Sequence, residues 1–339
     1  MKYIKIIIFN GILIVALLIG SVVFTPKTNK KAFGVDYVTS NKIFSETKNT
    51  VDAVALGDSL VYSSLSPMLI YEKHGYTIYD ASTPAQSIYQ SYSLLKRIYK
   101  TQKPQYFFFE AESLYRRYSF SDDMQNRIGV NIPILRYHNR WKNLTLQDFS
   151  TQYQLSNRDY LKGFRYYDKV VPLMKHKKPK AKLQPYALSY LNKIMALTKE
   201  HHTKLVFMSL PCAKTWSLER HNQLEKFFKE KGYDFVDFNT LPLGIDWNTD
   251  SRDGGDHLNY NGAKKASKYF GQYLEDNYHL KDHRKDPQYA NYELSLVLYK
   301  QRIKQKEMKT NAAPNLEKKT KDNDDQNQQN QDLISNEGQ

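Results

Sequence analysis

The sequence of 339 residues contains a single cysteine, Cys212. One thiol cannot form an intrachain disulfide, and it cannot supply the ligand set of a cysteine-rich zinc module. Acidic residues are also in the minority, with 35 Asp and Glu against 50 Lys and Arg, so that the formal net charge is +15. This excess favours nucleic acid, anionic lipid or an anionic polymer as a partner, and it does not choose among them. Disorder of the whole chain is excluded because 40% of the residues are apolar.

A long apolar run stands near the start of the sequence, from Ile6 to Phe24. At about 1.5 Å per residue it reaches roughly 28 Å, close to the thickness of a bilayer's hydrocarbon core. We therefore expect a single transmembrane anchor over residues 1–25. A cleaved secretory signal and a buried core helix are the alternatives, but residues 21–26 (SVVFTP) lack the small-residue pattern of a cleavage site. Lysines flank the run on both sides, so charge alone leaves the orientation open.

The remainder of the chain divides by composition and contains no internal repeat of useful length. We expect a polar, lysine-rich stalk over 26–48, a body over 49–285, an amphipathic helix over 286–309 and a disordered polar tail over 310–339. Within the body, residues 112–183 lack a regular pattern and carry many arginines and lysines. This insertion is interpreted either as a lid or substrate surface over one end of the sheet, or as a solvated charged face.

Apolar runs alternate with helical patterns through the body. Strands are predicted at 51–56, 76–79, 106–110, 204–210 and 234–238, and helices at 87–101, 185–201, 217–232 and 261–277. The run at 106–110 (YFFFE) is apolar until its last residue, as in a central strand that is buried on both faces. Strands separated by helices predict an α/β domain with a mostly parallel sheet.

Two short motifs carry the candidate chemistry. Gly57-Asp58-Ser59-Leu60 stands where the first strand of the body ends, and sites in open parallel sheets lie beyond the carboxyl ends of strands. A plain turn in which Asp58 and Ser59 cap a helix is the alternative. Much later, the loop 253–259 (DGGDHLN) places His257 among acidic and glycine residues before a helix. A serine hydroxyl needs a base, usually a histidine held by a carboxylate, so Ser59 and His257 are the candidate nucleophile and base.

Together these motifs resemble the SGNH/GDSL superfamily of serine esterases and acyltransferases, over roughly residues 51–277. The resemblance is specific at GDSL (57–60) and at the Asp/His block (253–257), and it is diffuse between them. It implies a flavodoxin-like three-layer α/β/α fold, here preceded by one N-terminal transmembrane helix. It also implies Ser59 as nucleophile, His257 as base, an acid shortly before the base, and a mechanism that requires no metal or organic cofactor.

The triad acid is the first departure from the superfamily pattern. The acid normally stands three residues before the histidine, and this chain has Gly254 there. Asp253, four residues before His257, is the preferred candidate. Asp256 is the alternative, although neighbouring side chains on an extended loop diverge, so that it reaches the imidazole only if the loop folds back.

The oxyanion hole accounts for two further departures. No glycine follows the second strand, so the backbone N–H of Ala85 is expected to act beside that of Ser59, with Gln86 as a further side-chain donor. Glu110 replaces the asparagine that the superfamily has after the third strand. An ionised glutamate cannot donate, so Glu110 is expected to orient Arg116 or Arg117 or to bind a substrate amine or hydroxyl, and an acid that only caps a loop is the alternative. The residues expected to line the site are Asp58, Gln86, Glu110 and Asp256.

With its N-terminal anchor, the chain resembles the branch of the superfamily that acts on cell-envelope polymers, including the teichoic-acid D-alanyl-transfer proteins. The resemblance implies a single-pass protein of a bacterial, Gram-positive cell membrane with an extracytoplasmic catalytic domain. It implies an anionic or acylated envelope polymer as partner and a membrane-bound O-acyltransferase as a candidate partner. Hydrolysis and acyl transfer both stay open. A non-catalytic polymer-binding or scaffold protein is the alternative, whereas nucleic-acid binding is not expected because the basic residues form no recognition-helix or RNP-like pattern.

Overall fold

The computed structural model describes residues 2–25, 42–150 and 159–308. Within these residues one sheet is built from β1 (Ala53–Gly57), β2 (Ile78–Ser82), β3 (Tyr106–Glu110), β4 (Lys204–Ser209) and β5 (Asp234–Asp237). The strand order is β2-β1-β3-β4-β5, and every neighbouring pair is parallel. This is the flavodoxin-like order, and each strand overlaps its predicted position. The prediction of an α/β domain with a parallel sheet is confirmed.

Helices lie before, between and after the strands. They are α1 (Lys2–Phe24), α2 (Ser59–Ser64), α3 (Pro67–His74), α4 (Ile88–Ile98), α5 (Phe120–Asn131), α6 (Pro133–Tyr137), α7 (Pro185–Glu200), α8 (Leu218–Glu230), α9 (Tyr260–Asn277) and α10 over 290–308. Local chemistry sets several of their ends. Ser87 and Gln90 form a reciprocal capping box at α4, and the Asn259 side chain accepts from two backbone N–H groups at the start of α9.

Two apolar layers cover the two faces of the sheet. Along β3, Phe107 and Phe109 enter the layer that contains α4, α7 and α8, while Phe108 enters the layer that contains α2 and α9. The alternation follows from the two-residue period of a strand, and all three rings are at most 1% exposed. Burial of each ring stabilises the fold by roughly 2–3 kcal/mol, so the central strand is a rigid base for the loops at its carboxyl end.

The insertion between β3 and α7 contains α5, α6 and short 3-10 helices at His138–Asn143 and Leu146–Phe149. Residues 151–158 lie outside the described residues. From 159 to 183 the chain continues without a regular helix or strand and returns to the sheet, where the backbone N–H of Asp80 donates to the Lys162 carbonyl. The insertion is therefore packed against the body at both ends.

The predicted boundary between stalk and body is wrong by several residues. Ile43 is fully buried in the apolar core, and Glu46 forms a buried ion pair with Lys162 at 2.8 Å. Nothing in the sequence indicates this packing, because Lys162, the partner of Glu46, stands more than a hundred positions away. At the other end, α10 belongs to the body, since Tyr292 and Tyr299 are buried in a third apolar cluster. The rest of the predicted stalk (26–41) and the predicted tail (310–339) lie outside the described residues.

Helix α1 extends the predicted apolar run to 23 residues. An 18-residue window of it has a mean hydropathy of 2.8, and only 11% of that window is buried. Such exposure excludes the buried core helix considered above. By length and composition, α1 qualifies as a membrane span or as a signal sequence.

Candidate active site

The turn after β1 presents Ser59 at the carboxyl edge of the sheet. Asp58 is the N-cap of α2, and its carboxylate accepts from the backbone N–H of Leu60 at 3.0 Å. A Cβ atom on Gly57 would stand 2.6 Å from Cβ of Glu110, so only glycine lets β1 and the end of β3 approach this closely. Asp58 thus acts as the helix cap that the simpler interpretation of the motif expected, and the hydroxyl of Ser59 is free to face another loop.

The loop before α9 brings His257 to that hydroxyl. Nε2 of His257 lies 2.8 Å from Oγ of Ser59, and Nδ1 lies 2.6 Å from Oδ2 of Asp253. The backbone N–H of His257 also donates to Oδ1 of Asp253 at 2.8 Å. Gly254 and Gly255 have φ values of 80° and 99°, and this reversal brings the acid four residues before the histidine back to its ring. The three residues form a continuous hydrogen-bonded relay with the geometry of a serine–histidine–acid triad.

Asp256, the alternative acid, lies farther from the imidazole. Its carboxylate is 4.0 Å from Nδ1 of His257 and pairs instead with Lys214 at 2.7 Å. The pKa of Asp253 lies below its ordinary value, because hydrogen bonds from His257 and the charge of Arg252 outweigh the opposing effect of partial burial. The geometry therefore favours an ionised Asp253 as the orienting acid.

The loop after β2 holds Ala85 in a backbone conformation usually taken by glycine. Its φ is 50°, in the left-handed region that L-residues with a Cβ rarely adopt. A glycine would take this backbone conformation without strain, so Ala85 stands where a glycine is the more usual residue. The N–H of Ser59, as the first residue of α2, has no intrahelical acceptor. Since β1 and β2 are paired in register up to Gly57 and Ser82, both N–H groups belong to adjacent loops at one edge of the sheet.

Gln86 does not supply the expected side-chain donor. The side chain is 2% exposed, and its amide nitrogen donates to Ser91 Oγ at 2.9 Å and to the Ala81 carbonyl at 3.4 Å. Its amide oxygen accepts from the Thr83 hydroxyl. These bonds engage both the nitrogen and the oxygen of the amide within the loop. The sequence could not reveal this, because a glutamine that donates to a ligand and a glutamine that stabilises its own loop look the same.

Arg116 links the two loops that carry the candidate oxyanion donors. One guanidinium nitrogen pairs with the Asp58 carboxylate, and the other donates to the backbone carbonyl of Gln86 at 3.2 Å. Sequence reasoning placed this arginine in the basic insertion and expected Glu110 to orient it. Glu110 instead caps the following loop, as the alternative expected, by accepting from the backbone N–H of Glu112. It is 1% exposed, and burial, reinforced by the charge of Asp58, raises its pKa well above the ordinary value.

A second segment from the insertion packs on the catalytic loop. The backbone N–H of Met174 donates to the Gly254 carbonyl at 3.2 Å, and Nε2 of His176 lies 2.6 Å from the same oxygen. We call residues 170–178 the strap. Its exposed apolar side chains and exposed lysines are Val170, Leu173, Met174, Lys175, Lys177 and Lys178. No local signal in the sequence places this strap at the site, because it contains neither a strand nor a helix.

Two other groups near the relay are accounted for by their contacts. Cys212 is buried, and burial raises the pKa of its thiol to about 12, which disfavours the nucleophilic thiolate. Asp253, Asp256 and His257 place potential metal-ligand atoms within 4.8 Å of one another. In this structure those atoms face Ser59, Lys214 and each other, so the arrangement matches proton transfer better than cation binding.

Comparison with known proteins gives similarity at the level of solved structures. A lipolytic protein assigned to the G-D-S-L family from Desulfitobacterium hafniense is 13% identical with a TM-score of 0.37, over 66% of this chain and 99% of the other. A GDSL-like lipase from Bacteroides thetaiotaomicron is 13% identical with a TM-score of 0.34, over 66% and 87%. A lipase/acylhydrolase from Enterococcus faecalis is 15% identical with a TM-score of 0.25, over 68% and 98%. No protein-family model and no curated protein matches the sequence. Because these identities and scores are low, we base the chemistry on the site residues themselves.

Proposed function

We propose that this protein is an SGNH/GDSL-type serine esterase or acyltransferase that works through an acyl-serine intermediate. One observation carries the proposal. The relay from Ser59 through His257 to Asp253 joins two motifs that are almost two hundred residues apart, at the edge of a parallel sheet where such sites lie. A purely structural role would not require the half-buried Ser59 to contact a histidine whose other ring nitrogen is held by a carboxylate.

The mechanism follows from the contacts. His257 takes the proton of Ser59 as Oγ attacks an ester carbonyl, while Asp253 holds the ring and stabilises the imidazolium that forms. The N–H groups of Ser59 and Ala85 bind the oxyanion. The tetrahedral adduct collapses, the leaving alcohol takes the proton from His257, and an acyl-serine remains. Water or a sugar or polyol hydroxyl then attacks the acyl-serine, with His257 again as base, and releases the free serine.

The first test is labelling of the full-length chain with a fluorophosphonate probe, together with turnover of p-nitrophenyl acetate. Both are expected in the wild type and both are expected to vanish in Ser59→Ala and His257→Ala, because nucleophile and base are needed in each. Ser189→Ala, an exposed serine on α7, is the matched control and should keep both signals. A folded wild type that the probe does not label would contradict the proposal and favour a polymer-binding protein on the same fold.

We propose further that the enzyme is anchored by α1 on the outer face of a Gram-positive cell membrane and acts on O-acyl groups of an anionic envelope glycopolymer. Exposed lysines of the strap support this proposal, because the strap bonds to the carbonyl of Gly254 and so brings positive charge to the loop that carries His257. A polyanionic chain would lie along these lysines while one of its esters enters the site. A membrane-bound O-acyltransferase remains the candidate partner that would exchange acyl groups with this enzyme.

The polymer proposal is tested by a paired substitution. Lys175→Ala with Lys177→Ala is expected to raise KM for an acylated anionic polymer and to weaken the salt dependence of the reaction, because two exposed cations beside the site are lost. Lys226→Ala with Lys229→Ala removes the same charge from the exposed face of α8 and is the matched control. Equal KM values for the two double variants would show that the strap lysines do not bind the substrate.

Hydrolysis and transfer differ in the second nucleophile alone. The acyl-enzyme formed from p-nitrophenyl acetate is therefore offered glycerol or a soluble sugar at increasing concentration. A transferase gives an acylated acceptor at the expense of acetate, with unchanged release of p-nitrophenol if acylation limits the rate. A hydrolase gives acetate throughout.

A further inference from the structure

The carboxyl end of α1 is fixed to the insertion by specific contacts. A Cβ atom on Gly20 would stand 2.6 Å from Cδ1 of Ile134, so α6 packs directly on the backbone of the apolar helix. Beyond it, Arg140 donates to the backbone carbonyl of Phe24 at 2.5 Å and pairs with the buried carboxylate of Asp148 at 2.6 Å. The last carbonyls of a helix have no intrahelical donor, and in an apolar surrounding they need one. The arginine therefore caps the helix where the span would leave the bilayer.

The same segment exposes large apolar side chains to the outside. Within 133–149 the exposed fractions are 51% for Leu135, 63% for Trp141, 92% for Leu146 and 65% for Phe149. We call these four residues the apolar patch. Single exposed side chains of this size are ordinary on a protein surface, but four within fifteen positions, in a segment that packs on a helix of membrane length, indicate a surface that is covered by another apolar phase.

Helix α6, which carries Leu135 of the patch, contacts α1 near the end of the apolar run. Gly20 precedes Phe24 by four residues, or about 6 Å of helix, so its neighbour Ile134 lies about one turn below the end of α1. Amphipathic segments at a membrane surface bury their apolar side by roughly 5–10 Å. Trp141 has Lys142 above its ring at 5.3 Å, and this pairing of tryptophan with lysine is typical of the headgroup layer.

We propose that residues 133–149 are a second membrane contact, in which the apolar patch enters the outer headgroup layer of an anionic lipid bilayer beside the end of α1. The inference rests on the anchored form of the proposed function and extends it. Since α5 and a few extended residues connect Arg116 to Ile134, the chain limits their separation to about 40 Å. The contact would thereby keep the active site within about 40 Å of the lipid surface, within reach of a substrate group carried on a polymer at that surface.

The test places nitroxide probes on the full-length chain reconstituted in vesicles of phosphatidylcholine and phosphatidylglycerol. Because Cys212 is 2% exposed, introduced cysteines are labelled selectively, and the unsubstituted chain is the blank. Ile12→Cys reports the span, and Trp141→Cys and Leu146→Cys report the patch. Leu218→Cys, on α8 and 61% exposed, is the control and matches Trp141 at 63%. Collision rates with oxygen, which partitions into lipid, and with a water-soluble nickel chelate measure the depth of each probe.

Probes at 141 and 146 are expected to lie between the other two in depth, less open to nickel than the probe at 218 by several-fold and more open than the probe at 12. Patch probes that collide with nickel as often as the control overturn the contact while leaving the anchor intact, and they would assign the patch to a protein partner instead of lipid. A probe at 12 that is open to nickel overturns anchor and contact together. Fluorophosphonate labelling of Ser59 in the same vesicles is independent of all these outcomes and reports the proposed chemistry separately.

Discussion

Exchange of each candidate acid for its amide distinguishes their roles most sharply. Asp253→Asn keeps the side-chain volume and can still accept from the backbone N–H of His257, but it loses the charge at 2.6 Å from Nδ1. The amide also presents an NH₂ group that favours the wrong imidazole tautomer. In Asp256→Asn the lost charge is 4.0 Å from Nδ1 and is already balanced by Lys214.

The magnitudes follow from these distances. A unit charge about 4 Å from a forming imidazolium contributes about 4 kcal/mol at an effective dielectric constant of 20. The Asp253 carboxylate lies closer to the ring than this, which would increase its contribution. Its side chain is 39% exposed, however, and screening by solvent reduces the contribution to roughly 3–4 kcal/mol. At about 1.4 kcal/mol per tenfold, Asp253→Asn lowers kcat/KM by roughly 10²–10³. For Asp256→Asn the balanced charge leaves less than about 1 kcal/mol, or under about fivefold.

The assay compares kcat/KM for p-nitrophenyl acetate with the second-order rate of fluorophosphonate labelling, because both report attack by Ser59. Thermal unfolding checks that each variant is folded. Equal losses in the two variants, or a larger loss in Asp256→Asn, would refute the assignment of the orienting acid. A loss below tenfold in Asp253→Asn would refute the electrostatic reasoning itself.

Three smaller predictions concern the loops around the site. Ala85→Gly removes the strain of a residue with a Cβ at a φ of 50° and, after the entropic cost of glycine, should stabilise the fold by up to about 1 kcal/mol. The expected readout is a rise of about 2–4 °C in Tm with activity retained, and a fall in Tm would contradict the presence of strain. Glu110→Gln should gain stability over the wild type as the pH rises above about 4.5. Above that pH the carboxyl ionises in the unfolded chain, while the raised pKa keeps it protonated in the folded state, so the wild type loses stability and the neutral glutamine does not. Parallel pH profiles of the two proteins in unfolding experiments would refute this. In Arg116→Lys, the single ammonium group cannot bind Asp58 and the Gln86 carbonyl at the same time, so labelling of Ser59 should slow by about tenfold with little change in Tm. Equal labelling rates in the variant and the wild type would show that Arg116 does not position the site.

The architecture was predictable because the strands carry strong local signals. The run YFFFE at 106–110 announces a strand buried on both faces, and the structure has a strand at those residues. Ser59 and His257 were predictable as a pair because each stands in a short motif whose residue types serve one chemistry. Such signals depend only on neighbouring residues in the sequence, so they can be recognised without knowledge of the fold.

Contacts between distant segments were not predictable. Glu46 appeared to belong to a stalk, since nothing near it reveals that Lys162 neutralises it in the interior. In the sequence the strap resembles any solvated basic loop. Only its hydrogen bonds to Gly254 in the structure show that it lies beside the relay. For the triad acid, the preference for Asp253 depends on the backbone reversal at the two glycines, which fixes a four-residue spacing that the motif alone left open.

The two departures in the oxyanion region have a common physical consequence. With Glu110 after the third strand, where the resemblance implies an asparagine, the proposed oxyanion hole has two backbone donors, on Ser59 and Ala85. Fewer donors make their relative placement more important, because each misplaced donor then removes a larger share of the stabilisation of the oxyanion. Arg116 meets this need by binding both loops at once through Asp58 and the carbonyl beside Ala85. The buried Glu110, kept close to its neutral form by the raised pKa, fills the space beneath the nucleophile turn without opposing the negative charge that develops above it.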